Sequence, residues 1–358
     1  MPKNRKKATI FLLLLAICLP AAARQPDTLR LVFIGDVMSH GPQITAALRH
    51  GGNPADPAAY DYSSYFQYVQ PWFQEADLVV ANMEFPVGVR PFSGYPFFSA
   101  PPALPIEARR SRVTVFLTAN NHLCDRGRTG LDSTYAFYSR LGVPFTGLYR
   151  SEGEEYENDP LILNIRGHRI ALANFTYGTN GLPVPPPYHI NRLDAAHIRE
   201  VLARGRARGA DFLIALPHWG EEYQLTPNAS QRQWADVFFE AGADAIVGAH
   251  THVVQPVETR ADGRPVAWSL GNFVSNQPFP YSQIGMLLSM TLVCDEGGIR
   301  VADLTPTYLW CSRKHMLEAN YTVIPILEWI GTRERWLDPS EYDKMVREWS
   351  DLKHKFGL

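Results

Sequence analysis

The stretch LRLVFIGD, Leu29 to Asp36, decides how the rest of the chain reads. It is apolar on both faces, broken only by Arg30, and it ends in a carboxylate. A strand with one wet face alternates apolar and polar residues, whereas a run of this kind is a strand covered on both sides, as in the sheet of an α/β protein. The same grammar recurs in DLVVANME ending at Glu84, VTVFLTANNH ending at Asn121 and His122, DFLIALPH ending at His218, and DAIVGAHTH ending at His250 and His252.

Helical patterns separate these runs. Leu131, Tyr135, Tyr138 and Leu141 share a face before Gly142, and Trp234, Val237, Phe238 and Ala241 share another before Gly242. Asp194 is placed to cap a further helix whose apolar side carries Ile198, Val201 and Leu202. Beyond His252 the pattern turns to β-hairpins, one over Asp262-Gly263 and one over Gly297-Gly298. The C-terminal segment predicts a helix capped by Asp338, with Pro339 first, Glu341 closing a capping box, and Tyr342, Met345, Val346, Trp349 and Leu352 as its docking face. Two proline-rich aromatic loops, RPFSGYPFFSAPPALP and GLPVPPPYH, interrupt the body.

Three basic residues at positions 5–7, an apolar run and then Ala21-Ala22-Ala23 read as a secretory signal peptide over residues 1–23. One domain over 28–312 and a helical extension over 313–358 follow, in a protein expected to be exported to the periplasm or the cell surface. Cys124, Cys294 and Cys311 can make at most one disulfide, so the core must hold itself together. With 46% hydrophobic residues, 20% charged and a net charge of -2 in 358 residues, the chain is globular and lacks the basic face of a general nucleic-acid binder.

In open α/β sheets the ligand site lies beyond the carboxyl ends of the strands. Asp36, Glu84, Asn121, His218, His250 and His252 all stand at such ends and are expected to converge as metal ligands. Carboxylates, an amide oxygen and imidazoles without cysteine suit a divalent Mn, Fe or Zn ion. Six donors exceed the four of a structural zinc site and imply either two ions or one with open positions. His122, with Asp125 three residues on, offers an imidazole–carboxylate pair for protonating a leaving group.

The motifs GDVM, NMEFP, NNHLCDRGRTGLDST, HWGEEY, GADAIVGAHTHVVQPVE and SLGNFV, in this order, resemble those of the CapA/PgsA family of capsule and poly-γ-glutamate synthesis proteins, within the calcineurin-like metallophosphoesterases. The resemblance spans roughly Leu29 to Leu309. It implies a four-layer α/β/β/α sandwich, matches Asp36, Asn121, His122, His218, His250 and His252 to the metallophosphatase site, and sets Glu84 where a bridging aspartate stands. It also brings Glu222 to the catalytic residues His122 and Asp125, and Trp219, Tyr223 and Asn272 to the substrate. One position departs: phosphatases of this type carry a histidine two residues after the first aspartate, where this chain has Met38, with His40 two further on. The function implied is a metal-dependent hydrolase or transferase on a phosphoester or γ-glutamyl bond of an envelope polymer, working with membrane-bound capsule-synthesis subunits. The alternatives are a non-catalytic polymer-binding accessory and a scavenging periplasmic phosphoesterase acting on small phosphoesters.

Overall fold

The computed structural model describes residues 27–358; the leader expected over residues 1–23 lies outside them. The strands, in chain order, are β1 (Asp27–Val37), β2 (Leu78–Met83), β3 (Val115–Leu117), β4 (Phe145–Thr146), β5 (Leu148–Tyr149), β6 (Leu161–Ile165), β7 (His168–Thr176), β8 (His189–Ile190), β9 (Phe212–His218), β10 (Ala245–Val247), β11 (Val257–Thr259), β12 (Pro265–Ala267), β13 (Asn272–Val274), β14 (Ile284–Asp295), β15 (Gly298–Ser312) and β16 (Thr322–Pro325). The helices are α1 (Gly41–Ala47), α2 (Gln70–Glu75), α3 (Ala103–Arg110), α4 (Gly127–Leu141), α5 (Glu152–Asn158), α6 (Ala195–Ala207), α7 (Ala229–Glu240), α8 (Ile326–Trp329) and α9 (Pro339–Phe356).

Two sheets form. One runs β16-β15-β14-β1-β2-β3-β4 with β13 added beside β1, and the other runs β11-β12-β10-β9-β7-β6. The two-residue alternation of each strand divides its side chains between two apolar layers. Leu29, Leu31 and Phe33 of β1 face Phe212, Ile214 and Leu216 of β9 in the core between the sheets. Val32 and Ile34 point the other way, to a layer containing Leu104 of α3 and Tyr138 of α4. Leu213 and Ala215 likewise turn outward, to Val201 of α6 and Phe238 of α7. The result is the four-layer α/β/β/α sandwich that the family resemblance implies, with the doubly apolar runs as its covered strands.

Within each sheet the strands that carry the chemistry are parallel: β1, β2 and β3 in the first, and β7, β9 and β10 in the second. Their carboxyl ends therefore open at one end of the sandwich. Asn174, at the end of β7, ties the sheets together there. Its Oδ1 accepts from the Ala119 and Thr118 amides at 2.7 and 3.0 Å, while its Nδ2 donates to Leu216 O at 2.8 Å. Close approach also fixes β1 against the turn into β13, since a Cβ at Gly35 would fall 1.9 Å from Gly271 O.

Several local expectations need correction. The segment 313–358 is not purely helical, because β16 pairs with β15 as the edge of the first sheet. Asp338 caps α9 as read, accepting from Ser340 N, but no capping box closes. Glu341 instead accepts from Gln283 Nε2 at 2.6 Å, because a buried amide next to the helix is the stronger claim on its carboxylate. The face that α7 buries is Gln231, Ala235, Phe238 and Phe239, rotated from the expected one, with Trp234 and Val237 left half-buried. β7 was not anticipated, though its run from Ile170 to Phe175 carries the same apolar signal.

α9 docks as its apolar face requires. Met345, Trp349 and Leu352 are buried in the inter-sheet layer, and the Trp349 ring stands 4.7 Å from Tyr308 of β15. Burying side chains of this size stabilises by roughly 1.5–3 kcal/mol each, which fixes the extension to the body. Cys124, Cys294 and Cys311 are all free and buried.

Candidate metal centre and cleft

The strand ends bring six of the sequence-derived donors together. Asn121 Oδ1 lies 2.9 Å from His218 Nε2, and His250 Nδ1 lies 3.1 Å from the same nitrogen. Glu84 Oε1 stands 3.7 Å from both His218 Nε2 and His252 Nε2, between the two imidazoles. Asp36 Oδ2 is 3.2 Å from His252 Nδ1. Two overlapping triads, Asp36–Glu84–His218 and Glu84–His250–His252, have donor atoms within 4.8 Å of one another.

Whether these residues fit a cation is answered by atoms left without partners. Asp36 Oδ2 and Glu84 Oε1 are buried and accept no hydrogen bond among the described residues, a costly state for carboxylate oxygens unless an ion takes their lone pairs. Burial first, then Asp36 and Glu222, pushes the Glu84 carboxyl well above its ordinary range. Burial, then the neighbouring imidazoles, holds His218 and His250 well below theirs, leaving them neutral and able to ligate. The backbone is held in unusual conformations at the same place: φ is +100° at His250 and +58° at His252, strain of a kind that concentrates at functional sites. The residues fit a divalent cation, and Glu84 is the member common to both triads.

Asn272 was expected to touch substrate and does not. It is fully buried, and the two hydrogens of its Nδ2 are shared among three acceptors, His252 O at 3.1 Å, Ser282 O at 2.9 Å and Gln277 Oε1 at 2.8 Å. Two of these partners are carbonyls that can only accept, so the amide orientation is fixed and Oδ1 faces His252 Nδ1 at 3.0 Å. His252 therefore carries its proton on Nδ1 and presents Nε2 to Glu84. This is the outer hydrogen bond that orients a ligating imidazole. Asn82, overlooked in the sequence because it sits mid-strand, plays a similar part by donating to Asp36 Oδ1 at 2.7 Å.

Trp219 is a second correction. Following His218 on an extended chain, it points to the opposite face, stacks on Trp268 at 5.8 Å and donates its indole N–H to Trp268 O at 2.9 Å within the α7 layer. It is core and does not reach the cleft.

Met38 and His40 line a cleft of about 410 Å3 together with Phe98, His122, Glu222, Tyr223 and His252. His122 Nδ1 meets Asp125 Oδ2 at 2.8 Å, and that oxygen also accepts from Phe98 N. Asn120 shapes the turn by donating to Met83 O while accepting from His122 N, which sends Asn121 and His122 in different directions. Burial, ahead of the charges of His252 and His122, brings His40 down to about 4. Tyr177, beyond β7 and also missed, lays its ring 4.5 Å from that of His250, and burial pushes its hydroxyl up to about 12. Met38 fills the phosphatase-histidine position with an apolar side chain and adds no ligand beside Asp36, whose donor cluster is Asp36, Glu84 and His218. Around His218 Nε2 stand Asn121, His250 and Glu84.

A larger, more open groove of about 750 Å3 lies away from this cleft, between α5 and α6. Its Glu155–Asp159–His197 group has metal-like spacing but does not fit a cation. Asn191 Nδ2 is committed to Asn174 O and Asp159, which turns its Oδ1 to His197 Nε2 and puts a proton there. Arg204 already neutralises Glu155 at 2.5 Å.

The family model described as bacterial capsule synthesis protein PGA_cap matches residues 30–277, a span that contains every donor named above. The chain belongs to this family. It is 30% identical to the PGA biosynthesis protein CapA of Bacillus subtilis over 313 residues, covering 77% of this chain and 76% of that one. It is 27% identical to the capsule biosynthesis protein CapA of Bacillus anthracis, covering 85% and 76%. Among solved structures it is similar to the calcineurin-like phosphoesterase YfkN of Bacillus subtilis, with a TM-score of 0.47 and 17% identity over 79% of this chain and 90% of that one. The family span thus contains the cluster of residues that could hold a divalent metal.

Proposed function

We propose that the protein is an exported, metal-dependent hydrolase or transferase that acts on a phosphoester or γ-glutamyl bond of an envelope polymer, alongside membrane-bound synthesis subunits. The observation that carries this reading is the pair of orphaned carboxylate oxygens, Asp36 Oδ2 and Glu84 Oε1, facing neutral imidazoles at the floor of a cleft. Asp36, Glu84, Asn121, His218, His250 and His252 would hold one or two Mn, Fe or Zn ions, which when bound polarise the scissile group and supply a hydroxide near neutral pH. His122, steadied by Asp125 on its Nδ1, keeps Nε2 for moving a proton at the leaving atom. Tyr223 and Glu222 line the cleft where the substrate would lie, and the Tyr177 ring covers His250 beside it.

Metal analysis of the purified protein tests the site: about one ion or more per chain, lost in His218→Ala and His250→Ala, is expected. Less than that, unchanged in the variants, sinks the reading. A panel of phosphodiesters and γ-glutamyl amides with Mn added should give turnover abolished by Asn121→Ala. One observation favours a binding accessory instead, the apolar Met38 at a ligand position. Metal without turnover on any member of the panel would select that alternative.

A further inference from the structure

Glu341, Lys344, Glu348 and Asp351 fall on one stripe of α9, spaced three, four and three residues apart. On a helix in isolation they would be a solvated face. Here the stripe runs beside Met345, Trp349 and Leu352, which seat the helix, and all four side chains reach one short segment, residues 281–283. Glu341 accepts from Gln283 Nε2 at 2.6 Å, and Lys344 donates to Gln283 Oε1. Glu348 Oε2 accepts from Tyr281 N at 3.3 Å, and Asp351 accepts from the Tyr281 hydroxyl. The anchors are themselves steadied along the helix, Glu348 by Lys344 at 3.7 Å and Asp351 by Lys355 at 3.4 Å.

The segment so held closes a loop that walls the cleft. Asn276, Gln277, Pro278 and Phe279 line it, and the Phe279 ring lies 4.1 Å from that of Tyr223. Tyr281 then turns the chain with φ of +60°, a left-handed conformation that a bulky residue keeps only where its surroundings over-determine it. Immediately after that turn, Ser282 O accepts from the Asn272 amide whose Oδ1 faces His252 Nδ1, and Gln277 Oε1 of the same loop accepts there too. Direct contacts thus run from α9 through Tyr281 and Ser282 to Asn272 and on to a candidate metal ligand. The matched family span ends at residue 277, so Tyr281 and α9 lie beyond it.

We propose that α9 is a clamp on the cleft and that Tyr281 is its positioning residue: Glu348 and Asp351 lock the 276–283 loop, which keeps Phe279 on the cleft wall and Ser282 O against the Asn272 amide that orients His252. A loop tied to a buried helix holds a site more tightly than a loop that carries its own weight. The effect of the clamp on metal binding rests on the metal site proposed above; the hold on the loop and on His252 does not.

Hydrogen exchange and nitrogen NMR of the full chain, labelled at histidine and free of metal, test the clamp. Two variants release it: Glu348→Ala/Asp351→Ala, and Tyr281→Phe, which removes only the hydroxyl. Asp343→Ala is the control, since it breaks the α9 ion pair with Arg333 at 2.8 Å and leaves the four anchors in place. Amides of residues 276–283 should exchange about tenfold faster in the double variant, about threefold faster in Tyr281→Phe and less than about twofold faster in the control. The His252 Nδ1–H signal should lose its protection from solvent in step with the loop. Zinc added afterwards should bind the double variant up to about tenfold more weakly, because the outer partner of His252 is loosened and not removed. Loop exchange within about twofold of wild type in both variants overturns the proposal, as does a freed loop with the His252 signal unmoved. Should the double variant release α9 as a whole, Tyr281→Phe decides by the same two signals. Wild-type protein that binds no zinc overturns the metal reading, while the two metal-free signals still decide the clamp.

Discussion

Replacing Asn272 by alanine separates a metal site from a merely polar core. The side chain is fully buried, and its loss removes the acceptor at 3.0 Å that holds the His252 proton on Nδ1. It also strips a donor from His252 O, Ser282 O and Gln277. Losing the outer partner of a ligating histidine costs about 10–100-fold in metal affinity, or roughly 1.4–2.7 kcal/mol. The abandoned acceptors cost about 1–3 kcal/mol each before water fills the space, so folding stability should fall as well. Asn191→Ala provides the control: it is equally buried and hydrogen-bonded, to Asp159 and Asn174 O, but lies outside the cation cluster. Calorimetric titration with zinc or manganese, run on folded protein, should show weakened binding for Asn272→Ala and wild-type binding for Asn191→Ala. Affinity within about twofold of wild type in Asn272→Ala, against the tenfold or more expected, would refute the reasoning. So would an equal loss in both variants, since the effect would then be general destabilisation.

Three further outcomes are expected. Trp219→Ala should lower unfolding free energy by about 3–5 kcal/mol in a denaturant titration while leaving metal stoichiometry unchanged, because the indole fills the α7 layer and not the cleft. Burial raises the Asp159 carboxyl from 3.8 to about 7. The folded chain therefore keeps a proton that the unfolded chain has released, so this group's contribution is full below pH 3.8 and is lost as pH rises to about 7, by up to roughly 4 kcal/mol. Asp159→Asn should flatten that slope in melts run across the window, and an unchanged slope would remove Asp159 as its source. Trp349→Ala should cost about 3–5 kcal/mol and expose α9 to limited proteolysis before the body is cut; simultaneous cleavage would mean that the helix is not a separate layer of stability.

The sequence by itself determined the layers and the donors. Runs such as LRLVFIGD and DFLIALPH must be buried on both faces, because apolar side chains on both sides of a strand leave no face for water. Polar residues at the ends of buried strands have few places to go but a shared mouth. That argument reached Asp36, Glu84, Asn121, His218, His250 and His252 without coordinates. The tertiary structure decided which face and which atom. Trp219 and His218 are neighbours in sequence, yet one lies in the core and the other at the cation cluster, and only packing shows which layer each side chain enters. Asn272 looks like an ordinary polar residue until its fixed backbone partners are known; those partners set the proton on His252. Asn82, Asn174 and Tyr177 gave no local signal because their roles depend on strands far apart in sequence meeting at one end of the sandwich. Ligand chemistry is a property of residue type and is legible in one dimension, whereas orientation and protonation belong to pairs of groups that only the fold brings together.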